Sequence, residues 1–137
     1  MALRNVQFIG SNGAAWPWSR QFPEGKSVWG NTRYAINTSP DFEPDWLVVY
    51  EGWPPGELRT KVPRERCIFI CAEPESFHRY QRGFLRQFGH IVTTQSRVRH
   101  PGLIRCQVAI NWFVGVRFFG EDGPHQPILA FDDFLKE

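Results

Sequence analysis

Two glutamates, Glu51 and Glu73, each follow an apolar run and are the side chains best placed for acid–base chemistry. A carboxylate at the edge of a cleft can accept the proton of an incoming hydroxyl group, a general-base role that contributes roughly 10²- to 10⁴-fold in rate. Pro74 disfavours the α conformation for the residue before it, so we expect a strand to end at Glu73 and a helix to begin shortly afterwards. The partial positive charge of that helix N-terminus would favour an ionised carboxylate. The alternative role for Glu73 is simply to cap the helix.

Aromatic and polar residues near the same strand ends suit the binding of a polyhydroxylated molecule. A pyranose presents an apolar C–H face and a rim of hydroxyl groups, which match a flat aromatic wall with polar edges. Trp53 lies two residues after Glu51 and is a candidate for such a wall; the alternative is that it only covers the sheet edge. The candidate substrate-binding residues are Glu51, Trp53, Thr94, Gln95, Trp112 and Phe113.

A β-α-β unit is predicted to position Glu73. Residues Cys67–Ala72 are apolar at every position, which is typical of a strand covered on both faces. Residues with helical spacing follow and predict an amphipathic helix, with Gly89 as its C-cap and His90–Thr94 as the next strand. Such crossovers join parallel strands, and ligands bind outside the carboxyl ends of those strands. The apolar helix face comprises Phe77, Tyr80, Phe84, Leu85 and Phe88, and Arg79, Arg82 and Arg86 fall mainly on the other side.

Further strands are predicted at Asn5–Ile9 and Asp45–Tyr50. Residues 14–37 mix aromatic residues with Pro and Gly without a clean period, and a helical segment is expected within them. The fold prediction is α/β: a single three-layer Rossmann-like domain with a mostly parallel sheet over residues 1–137. Asp132 and Asp133 look like the start of a helix close to the end of the sequence, which suggests a fragment of a longer polypeptide.

The composition indicates one globular domain. At 137 residues, with 42% hydrophobic and 15% aromatic residues, the chain is long enough for a core and too short for two ordinary domains. A net charge of +2 does not make nucleic acid the default partner. No apolar run approaches the roughly 20 residues that cross a bilayer, and no secretory signal pattern is present. We therefore expect a cytoplasmic protein without a transmembrane segment.

The histidines and cysteines argue against several familiar chemistries. The 4 histidines are scattered without ligand spacing, and neither GxSxG nor HExxH occurs, so no metal site and no Ser/His/Asp triad is predicted. Cys67, Cys71 and Cys106 are expected to be buried free thiols. The first two lie four residues apart in one strand, which places them on the same face of it.

A series of segments between residues 45 and 115 carries a family resemblance. The series comprises Asp45–Tyr50, Cys67–Pro74 with Ser76 and Tyr80, Phe84–Gln95, His100-Pro101 and Trp112–Gly115. Together these segments resemble the N-terminal half of the family 10 glycosyltransferases, the α-1,3/1,4-fucosyltransferases and their bacterial relatives. The motifs are specific as a series rather than one at a time.

The resemblance implies one half of a GT-B enzyme, in which two Rossmann-like domains face each other across a cleft. In such enzymes the N-terminal domain holds the saccharide acceptor and the C-terminal domain holds the donor GDP-fucose, so no cofactor is expected in this domain. The family's base is a glutamate in an E-P motif, which falls on Glu73-Pro74 here and would take the acceptor's proton in an inverting transfer. The donor-binding half is missing from these 137 residues, so the isolated chain is expected to bind acceptor weakly and transfer nothing.

Two other functions compete with this interpretation. The first is a non-catalytic carbohydrate- or protein-binding module with the same fold. The second is a nucleic-acid-binding domain that uses the three helix arginines and the basic segment 97–105, whose affinity would fall steeply with salt. That basic segment is either an anion-binding loop or an ordinary solvated surface, and the sequence favours the solvated surface.

Overall fold

Seven strands form one mostly parallel sheet in the computed structural model, which describes residues 3–10, 18–51, 57–107, 116–117 and 126–127. Their order across the sheet is β2-β3-β1-β4-β5-β6-β7, in which β2 pairs antiparallel with β3 and the other pairs are parallel. A separate short antiparallel pair joins β8 and β9. The strands are β1 (Arg4–Gly10), β2 (Val28–Trp29), β3 (Thr32–Ile36), β4 (Trp46–Tyr50), β5 (Cys67–Cys71), β6 (His90–Thr93), β7 (Leu103–Arg105), β8 (Val116–Arg117) and β9 (Gln126–Pro127).

The prediction of a mostly parallel sheet is confirmed, whereas the described residues contain a single α-helix of four residues where an α/β chain would have several. The four strands predicted from the sequence correspond to β1, β4, β5 and β6, with ends shifted by no more than one residue, except that β5 ends at Cys71 rather than at Glu73. The parallel pairing of β5 with β6 is also confirmed, with Phe69 opposite Ile91. The helical segment expected within residues 14–37 is confirmed only in part, because residues 18–37 contain short 3₁₀ helices and no α-helix. These residues form two 3₁₀ turns, Trp18–Gln21 and Pro23–Gly25, followed by the hairpin of β2 and β3.

One face of the sheet carries the described core. Val49, Phe69 and Ile91 are in register on the neighbouring strands β4, β5 and β6, and Leu47 lies two residues before Val49; all four are almost completely buried. Phe69 has no exposed surface, and its ring lies 4.8–5.2 Å from the rings of three aromatic residues. Fully burying a side chain of this kind contributes roughly 1.5–3 kcal/mol. The three aromatic residues are Tyr80, Phe84 and Phe88.

The expectation that β5 is covered on both faces is wrong for the described part of the chain. Cys67, Phe69 and Cys71 are buried, whereas Ile68 and Ile70 between them are only half-buried. This alternation is typical of a strand that packs one face on the core. Within the described ranges, no α-helix lies on the face of Ile68 and Ile70, so two of the three predicted layers are observed.

The helix predicted after β5 is much shorter than its periodicity suggested. The chain makes a turn in which the N–H groups of Phe77 and His78 donate to the Pro74 carbonyl, and the helix α1 covers only Arg82–Leu85. Phe77 is 79% exposed and does not belong to the packed face. Tyr80 still packs against the core, but it does so from a segment without regular secondary structure rather than from a helical turn.

Gly89 is a close-approach glycine rather than a helix C-cap. Its N–H donates to the Cys67 carbonyl, and a Cβ at this position would lie 2.6 Å from the Arg64 carbonyl oxygen. Only glycine allows the chain to pass the start of β5 at this distance. None of the helices in the described ranges is both long enough and apolar enough to cross a membrane.

Candidate functional site

The strand order places a topological switch point between β1 and β4. The chain leaves β1 to form β3 on one side of it, then crosses to form β4 on the other side, and continues outward to β7. Ligands of open parallel sheets bind outside the carboxyl ends of the strands at such a point. Gly10 ends β1 there and Glu51 directly follows β4.

An aromatic cluster lies at this switch point. The ring of Phe8 is 5.0 Å from that of Trp18 and 6.4 Å from that of Tyr50, and the Trp18 and Tyr50 rings are 6.2 Å apart. The N–H of Gly10 donates to Asn37 Oδ1 over 2.7 Å, which fixes the end of β1 beneath the cluster. The sequence analysis did not predict this aromatic cluster, because Trp18 lies in a segment without periodicity and contacts Phe8 only in the folded chain.

The Glu51 carboxylate ties the end of β4 to the chain that follows β5. Its Oε1 accepts hydrogen bonds from the N–H groups of Ala72 and Glu73, the latter at 2.8 Å, and its Oε2 accepts one from the Tyr80 hydroxyl at 2.7 Å. Its backbone has φ of +60°, an uncommon conformation for a residue with a side chain. Three protein donors therefore hydrogen-bond to the Glu51 carboxylate, which the sequence analysis predicted to bind a saccharide.

Tyr80 is held as a hydrogen-bond donor by its surroundings. Burial, followed by its hydrogen bond to the Glu51 carboxylate, raises the pKa of the Tyr80 hydroxyl far above its ordinary value of 10.0. The hydroxyl consequently stays protonated at physiological pH and donates to Glu51. The sequence analysis placed Tyr80 on an apolar helix face. Because a buried tyrosine hydroxyl usually has a hydrogen-bond partner, the presence of a tyrosine among phenylalanines was the only sequence signal of a nearby buried acceptor.

Gln95 secures the same segment from the β6 side. Its side chain is 3% exposed, and its Nε2 donates to the carbonyl oxygens of Glu73 at 2.8 Å and His78 at 2.9 Å. We call residues 72–80 the β5 loop. Glu51, Gln95 and the contacts of Glu75 with Ser96 and Arg97 hold it from both neighbouring strands, so its backbone is fixed before any ligand binds.

Glu73 lies in this fixed loop with an unoccupied carboxylate. Its N–H donates to Glu51 and its carbonyl accepts from Gln95, while no described residue donates to its half-buried side chain. The alternative in which Glu73 caps a helix is wrong, because α1 begins nine residues later with Gln81 at its N-cap position. For the same reason, the prediction that the partial positive charge of a helix N-terminus favours the ionised Glu73 carboxylate is also wrong.

The remaining predicted site residues divide into two groups. Glu51, Glu73 and Gln95 are brought together by direct hydrogen bonds, and Thr94 is exposed beside them in sequence. Trp53, Trp112 and Phe113 lie outside the described residues, as do the Asp132 and Asp133 of the expected helix start.

The cysteines supply no nucleophile at this site. Burial raises the pKa of Cys71 to about 11 and also raises the pKa of Cys67, so both thiols stay protonated at neutral pH. Both are buried free thiols as predicted, whereas Cys106 is exposed, contrary to the prediction. Within the described ranges, no group of three or more His, Cys, Asp and Glu side chains is arranged to hold a metal ion.

Comparison with known proteins returns no match for this chain: no protein-family model, no curated protein and no solved structure is significantly similar to it.

Proposed function

We propose that this domain is the acceptor-binding half of an inverting, sugar-nucleotide-dependent glycosyltransferase, in which Glu73 is the general base. The observation that carries the proposal is the difference between the main chain of Glu73, which is hydrogen-bonded, and its carboxylate, which is not hydrogen-bonded to any described residue. The main chain of Glu73 is held on both sides, by the Glu51 carboxylate and the Gln95 amide, while its carboxylate has no partner among the described residues. A base whose backbone is fixed in advance needs no reorganisation at the moment of reaction.

In the proposed reaction, Glu73 accepts the proton of one acceptor hydroxyl. The hydroxyl oxygen forms a bond to the anomeric carbon of the donor sugar as the bond to the nucleotide diphosphate breaks, and the leaving group departs with the bonding electrons. Attack from the face opposite the leaving group inverts the anomeric centre. Glu51 is a poor candidate for the base, because three protein donors already bind its oxygens.

The aromatic cluster of Phe8, Trp18 and Tyr50 supports saccharide binding at the same edge of the sheet. The apolar face of a pyranose packs against aromatic rings, and the hydroxyl rim then points toward polar groups such as the Glu73 carboxylate. Trp53, Trp112 and Phe113 stay predictions as further walls.

The choice of donor rests on the resemblance alone. The segments between residues 45 and 115 that resemble the family 10 glycosyltransferases point to GDP-fucose, to a second donor-binding domain and to a GT-B arrangement. The parallel sheet and the position of Glu73-Pro74 at the carboxyl end of β5 are consistent with that assignment.

The proposal is tested by joining this sequence to a donor-binding half and measuring GDP-fucose consumption with a panel of oligosaccharide acceptors. Replacing Glu73 with Gln should lower kcat by roughly 10²- to 10⁴-fold while acceptor binding persists. The matched control is Glu65→Gln, which removes the same charge just before the amino end of β5 and should leave kcat unchanged. Equal turnover of Glu73→Gln and the unmodified protein would exclude the base role. Acceptor binding without any transfer would favour the non-catalytic carbohydrate-binding module.

A further inference from the structure

Four arginines surround one small cavity beside the β5 loop. The cavity has a volume of about 140 Å³ and lies where the β5 loop, α1 and the segment after β6 meet. The sequence had assigned two of these arginines to a solvated helix face and two to a solvated loop, without bringing them together. The lining side chains that carry charge are Arg79, Arg82, Arg97, Arg99 and Glu75.

The charge of this cavity is strongly one-sided. Among the described lining residues, four guanidinium groups face a single carboxylate, that of Glu75, which leaves three positive charges in excess. The Glu75 carboxylate is held in the lining of the cavity, because it accepts hydrogen bonds from the Ser96 hydroxyl and the Arg97 N–H and lies 3.7 Å from Arg97 Nε. The backbone N–H of Arg97 is the main cause that lowers the pKa of Glu75, so this carboxylate stays ionised at neutral pH.

Most of the guanidinium donors in the cavity are not used by the residues that the structure describes. No described residue accepts a hydrogen bond from Arg82, and Arg79 uses only Nε, which donates to the Glu75 carbonyl at 3.3 Å. Arg99 is held in place through Nη1, which donates to the carbonyl oxygens of Ser96 and Val98. Each guanidinium has five N–H donors in a planar fork that matches an oxyanion. The arginines therefore present several free donors to the same cavity.

The rest of the lining gives this cavity a firm wall and a small size. Leu85 and Gln95 are buried, and Tyr80 is fixed by its bond to Glu51, so three lining side chains cannot move freely. The volume is smaller than the roughly 300–1,000 Å³ of pockets that enclose drug-sized ligands. A single charged group fits these dimensions better than a large organic molecule does.

We propose that this arginine cavity is a binding site for one tetrahedral oxyanion, a phosphate or sulfate group. The group is either the free inorganic anion or a substituent on a saccharide. The proposal does not rest on the function proposed above, because it uses neither the Glu73 carboxylate nor a donor sugar. A nucleic acid fits the geometry less well, since Arg86 of the same helix does not line the cavity and the space is that of one group rather than a strand.

The test is a calorimetric titration of the 137-residue protein with inorganic phosphate and with sulfate, at constant ionic strength set with chloride. Saturable binding is expected. Arg82→Gln and Arg79→Gln should each weaken it by about 10-fold, since each removes a charged hydrogen-bond donor. Arg86→Gln is the matched control, an exposed arginine just after α1 that does not line the cavity, and its affinity should be unchanged.

A variant with the opposite effect strengthens the design. Glu75→Gln removes the one carboxylate among the described lining residues and frees Arg97, so it should tighten phosphate binding by about 3-fold. Absence of saturable binding, or equal affinity in Arg82→Gln, Arg79→Gln and Arg86→Gln, would overturn the proposal. Circular dichroism of each variant confirms that the exposed substitutions leave the fold intact.

Three further ligands identify the source of the anion. Tighter binding of glucose 6-phosphate or a 6-sulfated amino sugar than of the inorganic anion would assign the site to a substituted saccharide, and equal affinity would assign it to the free anion. A single-stranded oligonucleotide that binds far more tightly than phosphate, with a steep salt dependence, would replace the proposal with nucleic-acid binding. Glu73→Gln should bind phosphate like the unmodified protein, which keeps this result separate from the test of the base.

Discussion

Replacing Glu51 with Ala should destabilise the fold through a defined set of hydrogen bonds. The change removes the acceptor of the Ala72 and Glu73 N–H groups and of the Tyr80 hydroxyl. Hydrogen bonds to charged groups contribute roughly 1.5–3 kcal/mol each, and an unsatisfied buried donor costs about as much. Glu51 is half-buried, so water can reach part of the vacated space. We therefore expect the free energy of unfolding to fall by about 2–4 kcal/mol rather than by the full sum.

Two companion variants separate the causes of this loss. Glu51→Gly removes the same hydrogen bonds but suits the backbone φ of +60°, so it should be more stable than Glu51→Ala by about 1 kcal/mol. Tyr80→Phe removes only the hydroxyl and should lower the free energy of unfolding by about 1–2 kcal/mol. The double variant Glu51→Ala with Tyr80→Phe should be less destabilised than the sum of the single variants, because both delete one shared contact.

The measurement is urea unfolding followed by tryptophan fluorescence, with the free energy of unfolding extrapolated to water. A loss below about 0.5 kcal/mol for Glu51→Ala, which is the range of neutral surface substitutions, would refute the claim that this carboxylate holds the β5 loop. Strict additivity of Glu51→Ala and Tyr80→Phe would refute the Tyr80 contact in particular.

Three other predictions follow from burial and charge. Phe69→Ala should lower the free energy of unfolding by roughly 3–5 kcal/mol in the same urea assay, whereas Phe77→Ala should change it little, because Phe69 is fully buried and Phe77 is 79% exposed. Iodoacetamide at pH 8 should label Cys106 in the native protein and the two β5 thiols only in urea, as counted by mass spectrometry; rapid native labelling of a second thiol would contradict their burial. The lowered pKa of Glu75 stabilises the fold above its ordinary value of 4.5 and ceases to do so as the pH falls through the lowered value. The unfolding free energies of Glu75→Gln and the unmodified protein should therefore converge below pH 4.5, and a constant difference down to pH 2 would argue against this linkage.

The local pattern of the sequence determined four strands, β1, β4, β5 and β6, and the acidic residues that follow two of them. Apolar runs of five residues such as Trp46–Tyr50 and Cys67–Cys71 are too short for an ordinary helix and are bounded by polar residues and prolines, so their positions as strands could be predicted from the local sequence. The same runs placed Glu51 and Glu73 at strand ends. Cys67 and Cys71 lie on the same face of β5, which follows directly from the two-residue period of a strand.

Periodicity failed where distant contacts outweigh local preference. The spacing of Phe77, Tyr80 and Phe84 imitates a helix, yet the hydrogen bonds of the β5 loop to Glu51 and Gln95 hold that segment in another conformation. Partners separated by more than 20 positions leave no signal in a single sequence.

The sequence by itself therefore determined the strands β1, β4, β5 and β6 and the carboxylates that follow β4 and β5, because those features depend on neighbouring residues only. The tertiary structure decided which of the two carboxylates is occupied, which aromatic rings meet at the switch point and that four arginines share one cavity. These depend on the order of strands in the sheet, β2-β3-β1-β4-β5-β6-β7, which is set by packing between segments far apart in the chain.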